Sequence, residues 1–244
     1  MEMESPDRVA ESSQRAYARL AGLMYLVVLV FDIGGIAIVS AIQGGGNFLD
    51  ASHRIAGWEP LYRIGLLFGL VGSLATILLA VGLYVTLKRV DGNLALIALL
   101  FRLVEVAGIG TAGFGTLRIY LAANHAGAFD ANQLDALANM SSGGEGTYIS
   151  AIFFSAGSTI FFYLFLKSAY IPRIIAGWGL FASPVYMLAF VGSLVAPRYS
   201  GIFLGVGSIP ILVAEVSTGL WLLIKGIRLS TPTAAARVPE AVGP

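Results

Sequence analysis

Four side chains of this sequence belong to types that do chemistry, yet they sit where charge is expensive: Asp32, Arg102, Glu105 and Glu215. A carboxylate can hold a proton, a cation or an ammonium group, and a guanidinium can hold an anion or orient a carboxylate. Three carboxylates against one guanidinium leave a formal charge of −2, which a proton or a cation would neutralise in a low-dielectric place. Arg102 and Glu105 are three residues apart, so on a helix they share a face and can pair locally. A second trio, Glu59, Arg63 and Arg118, is a candidate entrance to such a site; the plainer reading is that these chains snorkel to the membrane surface.

The elements that must carry these residues follow from composition and length. Of 244 residues, 57% are hydrophobic and 12% charged, about half the charged content of soluble domains, so the solvent for most of the chain is lipid. A helix needs ~20 mostly apolar residues to cross ~30 Å of hydrocarbon. Six such runs read at about 19–42, 61–87, 94–121, 148–166, 174–195 and 202–224. The expectation is an all-α integral membrane protein, a bundle of about six transmembrane helices. Residues 1–17 read as a cytoplasmic segment, 18–228 as the transmembrane domain and 229–244 as a disordered cytoplasmic tail. The first run reads as a retained anchor, because its leader is long and carries Glu2, Glu4, Asp7 and Glu11.

Basic residues orient the bundle, since Lys and Arg near span ends stay on the cytoplasmic side. With both termini inside, Arg15, Arg19, Lys88, Arg89, Lys167, Arg173, Lys225 and Arg228 are all cytoplasmic, and the base-free stretch 122–147 is an outer loop. In that loop Asp130 and Gln133 have capping-box spacing ahead of Leu134, Leu137 and Met140, which predicts a short interfacial helix. Counted from the cytoplasmic ends, Arg102 lies about 14 Å deep, Glu215 about 15 Å, Glu105 about 18 Å and Asp32 about 20 Å. Ionisable groups from three spans thus fall in one layer near the midplane, where each costs ~2.5–3.5 kcal/mol or more and seeks a partner.

Other motifs carry less. Gly108-Ile-Gly-Thr-Ala-Gly113 matches a dinucleotide fingerprint, but no strand precedes it, so its glycines read instead as points of close helix approach, like Gly65 with Gly69 and Gly201 with Gly205. His53 and His125 have no metal-ligand spacing, and zero cysteines exclude thiol chemistry and cysteine metal sites. Ser155, Ser158 and Ser183 lack a histidine base, so no catalytic residue, cofactor or metal site is read; span hydroxyls usually bond their own helix. Asn139-Met-Ser141 is a formal glycosylation acceptor of little weight. A net charge of +1, from 15 basic and 14 acidic residues, is too balanced for a nucleic-acid binder.

Several strings resemble a bacterial multi-pass membrane family known only as domain-of-unknown-function family 4386. They are Ala18-Arg-Leu-Ala-Gly-Leu-Met-Tyr-Leu, Leu100-Phe-Arg-Leu-Val-Glu105, Ile171-Pro-Arg173 and Glu215 ahead of Trp221-Leu-Leu-Ile-Lys-Gly226. The resemblance implies the bacterial cytoplasmic membrane and supports the span count, and it brings no catalytic residues.

Beyond the lipid bilayer itself as partner, two readings of the four charges stay open. In one, Asp32, Arg102, Glu105 and Glu215 bind or move a proton, a cation or a small polar or lipid ligand. In the other, the protein is a structural or regulatory membrane component, and Arg102 bridges Glu105 and Glu215 only to fix helix packing. An intramembrane enzyme ranks third, and the sequence does not set an oligomeric state.

Overall fold

A backbone N–H or C=O facing hydrocarbon has no water to bond, so apolar segments of this length satisfy their own polar groups as helices. The computed structural model describes residues 6–109, 112–124, 129–142 and 145–228, and among these every regular element is helical. In chain order they are α1 (Pro6–Gln43), α2 (Phe48–Gly57), α3 (Glu59–Leu87), α4 (Gly92–Ile109), α5 (Ala112–Ala122), α6 (Ala131–Ser142), α7 (Glu145–Ser168), α8 (Arg173–Val195), a 3-10 turn (Pro197–Tyr199) and α9 (Ser200–Ile224). Five of the described helical stretches are long and apolar enough to cross a membrane: Ala10–Gln43, Glu59–Leu87, Thr147–Ser168, Arg173–Val195 and Pro197–Ile224. The protein is therefore all-α and membrane-embedded.

The expected third span, 94–121, is described on either side of residues 110–111, as α4 through Ile109 and as α5 from Ala112. Residues 110–111, His125 and the tail 229–244 lie outside the described residues.

Six helices form a closed ring in chain order. α1 packs on α3, α3 on α4, α4 on α7, α7 on α8, α8 on α9, and α9 returns to α1. One half of the ring is solid. Tyr25, Leu79, Leu83, Phe161, Phe162, Phe165 and Leu222 fill it, at the end that carries Lys88, Arg89, Lys167 and Lys225. At the opposite end α5 packs against α2 and α6, and a smaller core of Ile42, Ile55, Tyr62 and Leu117 ties these short helices to α1 and α3.

The short helices are set by their caps. Gln133 N–H donates to Asp130 Oδ1 and Asp130 N–H to Gln133 Oε1, both at 2.9 Å, which is the reciprocal capping box expected at the start of α6. Its packed face is not the expected one: Leu134 and Ala138 are buried, four residues apart, while Leu137 and Met140 are exposed. α2 was not anticipated, although Asn47 caps it by accepting from the Asp50 N–H at 2.9 Å.

Glycine decides where ring helices touch. A Cβ on Gly22 of α1 would fall 2.8 Å from Gly219 O and closer still to Leu223 N, and a Cβ on Gly219 would fall 2.9 Å from Tyr25 Cβ. A Cβ on Gly65 would meet Ile38 and Val39 at 3.0 Å, as expected for a contact glycine. Gly201 and Gly205, by contrast, have open space around them, because that stretch of α9 is largely exposed. Gly22→Ala should therefore lower stability by about 1–3 kcal/mol through overpacking. Gly205→Ala should leave the thermal unfolding midpoint of the detergent-solubilised protein unchanged or slightly raised.

Candidate functional site

The half of the ring that the core does not fill encloses a cavity of about 840 Å³. All six ring helices contribute to its wall, and α5 adds Phe114. Asp32 of α1, Arg102 and Glu105 of α4 and Glu215 of α9 all line it. Side chains far apart in sequence are thus gathered by the closure of α9 onto α1 and by the seating of α4 between α3 and α7. Glu59, Arg63 and Arg118 do not line this cavity. Arg63 and Glu59 pair with each other at 2.5 Å on the surface of α3, and Arg118 is exposed on α5.

Arg102 is held by two neighbours, Glu105 and Phe154. It is 2% exposed, and its Nη1 lies 3.0 Å from Glu105 Oε2, one helical turn away. The guanidinium carbon also lies 4.7 Å from the centre of the Phe154 ring of α7, a cation–π distance. Gly157 lets α4 and α7 come this close, since a Cβ there would lie 3.1 Å from Ala98 O and 3.4 Å from Arg102 Cδ. Ser150 Oγ donates to the Glu105 carbonyl at 2.8 Å and sets the register between the two helices.

The charges are nevertheless incompletely satisfied. The Arg102–Glu105 approach is close but poorly directed, for Arg102 Nε and Nη1 and Glu105 Oε2 are buried without a hydrogen-bond partner among the described residues. Glu215, 9% exposed, and Asp32, half-buried, have no protein cation within 4.0 Å among those residues. Asp32 instead lies against α3, where a Cβ on Gly72 would overlap its carboxylate. Of the bridge that the packing reading drew from Arg102 to Glu105 and Glu215, the structure holds the Glu105 arm, at 3.0 Å, while the guanidinium also lies over the Phe154 ring of α7. Among the described residues no three acidic or histidine side chains are grouped to hold a metal ion.

The sequence reading missed the aromatic wall. Phe154 of α7 and Tyr186 of α8 meet edge to face at 5.4 Å, Tyr186 and Phe190 lie 4.8 Å apart, and all three line the cavity. The four-residue spacing of Tyr186 and Phe190 places them on one helical face, but in so apolar a chain such a pair reads as ordinary core. Hydroxyls behave as anticipated: Ser155 and Ser183 donate to the carbonyls of Ala151 and Gly179 one turn back.

The Asp32–Gly72 contact can be tested directly. Gly72→Ala should destabilise the protein, and Asp32→Ala should relieve that cost. A double-mutant cycle on thermal stability should then give a coupling of at least about 0.5 kcal/mol, where independent sites would add.

The model of the family described as "Domain of unknown function (DUF4386)" matches residues 20–226. No curated protein and no solved structure matches the chain. The matched stretch runs from within α1 past the end of α9 and includes Asp32, Arg102, Glu105 and Glu215. The chain belongs to this family.

Proposed function

We propose that this DUF4386 member is a multi-pass protein of the bacterial cytoplasmic membrane that binds, and in doing so can move, a small ligand at Asp32, Arg102, Glu105 and Glu215. The ligand class is a proton, a cation or a small polar or lipid molecule. The observation that carries this reading is the convergence of those four side chains on one cavity of about 840 Å³, within the roughly 300–1,000 Å³ typical of ligand pockets. A chain that only needed tight packing would gain by filling such a space, since empty apolar volume forfeits dispersion contacts.

The same reading has the chain cross the bilayer six times with both termini in the cytoplasm. The six-helix ring supports that count, with the stretch 94–121 as the third crossing. Lys88, Arg89, Lys167, Arg173 and Lys225 at the ring's solid end support the orientation. α6 then lies at the outer surface with Met140 toward the headgroups.

The alternative, charges that only lock the bundle, has two observations behind it: Asp32 is seated against Gly72, and Arg102 of α4 lies over the Phe154 ring of α7. Against it, the buried ion pair is internal to α4 and so ties no two helices together. Asp32→Asn, Glu105→Gln and Glu215→Gln separate the two. The solubilised wild type should be stabilised by at least one member of a panel of inorganic cations, organic amines, lipids and protons. The variants should elute and melt like the wild type and lose that response. Variants that misassemble, in a protein whose wild type responds to nothing in the panel, would establish the packing role.

A further inference from the structure

Four observations about the cavity narrow its occupant, and together they go beyond a generic small ligand. The first is charge. Arg102 lies 3.0 Å from Glu105 and over the Phe154 ring, while Asp32 and Glu215 line the same space with no protein cation within 4.0 Å among the described residues. The second is the wall of the same space, which Phe154, Tyr186 and Phe190 line together. Aromatic rings with carboxylates suit an organic ammonium group, because the ring quadrupole attracts a cation and the carboxylates balance its charge.

The third observation is size and polarity. A volume of about 840 Å³ far exceeds the ~30 Å³ of a water molecule. The carboxylates are spread over three helices, and among the described residues they form no metal-ligand group. The fourth is where the cavity reaches the surface. α1 and α9 approach closely at Gly22, Tyr25 and Gly219, in the solid half. Beyond that level they turn Ile33, Ile36, Ser208 and Leu212 toward the cavity, and Ile33, Ile36 and Leu212 remain exposed. Where α1 and α9 line the cavity, its exposed wall is thus mostly apolar, with Glu215 buried.

From these we infer that the cavity accepts a bilayer-dissolved amphiphile with an alkylammonium head, which passes head first between α1 and α9 to rest near Asp32, Glu215 and the aromatic wall. Its tail stays against Ile33, Ile36 and Leu212. The inference rests on the binding function proposed above and names the substrate class. Burying an ammonium group this deep is tolerable only because two carboxylates and three rings replace its water.

The test uses full-length protein in a mild detergent, with octylammonium, 1-octanol and methylammonium as probes and binding read from thermal shift and calorimetry. Octylammonium should bind at least ten-fold more tightly than 1-octanol, which lacks the charge, and than methylammonium, which lacks the tail. Glu215→Gln or Asp32→Asn should weaken octylammonium at least ten-fold and leave 1-octanol unaffected. Ile33→Trp with Leu212→Trp, which narrows the opening without touching a charge, should weaken octylammonium but not methylammonium. Equal binding of 1-octanol, or insensitivity of octylammonium to both carboxylate variants, overturns the inference. Equal binding of methylammonium or an inorganic cation also overturns it, and in that case the binding function stands with a small cation as ligand. Failure of every cation and amphiphile to bind the wild type overturns both.

Discussion

Everything in this molecule is arranged around the cost of keeping ionisable side chains inside an apolar bundle. A charge at the bilayer centre costs at least ~2.5–3.5 kcal/mol on insertion scales, so a helix carrying Arg102 and Glu105 cannot face lipid with that side. It must turn those residues inward, and the ring of α1, α3, α4, α7, α8 and α9 gives them an inside. Once α4 is fixed in this way, Ser150, Phe154 and Gly157 of α7 are the surface it meets. A buried guanidinium with a carboxylate on one side and a ring on the other is tolerable; alone it would not be.

The second constraint is division of labour along the helix ring's axis. One half of the ring is packed with large side chains and closed by glycine contacts such as Gly22 on Gly219. The other half is left open and capped by the short helices α2, α5 and α6. The packed half supplies the rigidity that holds the four charged groups in place. The open half supplies the space that gives them something to act on. Rigid support beneath a polar cluster is the arrangement a binding site requires, because positions must be held to within about half an ångström for recognition.

Much of this could be read from residue types. The long apolar runs predicted α1, α3, α7, α8 and α9 within a few residues at most ends, and the Asp130–Gln133 spacing predicted the capped start of α6. Counting depth along each run placed Asp32, Arg102, Glu105 and Glu215 in one layer, and all four line one cavity. What escaped has physical reasons. The aromatic wall depends on which way α7 and α8 are rotated, and a nearly uniform apolar surface sets no rotation on its own. The Arg102–Glu105 pair, by contrast, followed from its three-residue spacing on one helix.

The account stands or falls on whether the buried carboxylates face a space that a membrane-dissolved molecule can enter. Modification of the protein in native membranes by a hydrophobic carbodiimide, with the modified residues identified by mass spectrometry, tests this directly. The account predicts adducts at Asp32 or Glu215. Adducts confined to loop carboxylates such as Asp50 and Asp130, with Asp32, Glu105 and Glu215 unmodified, would contradict it.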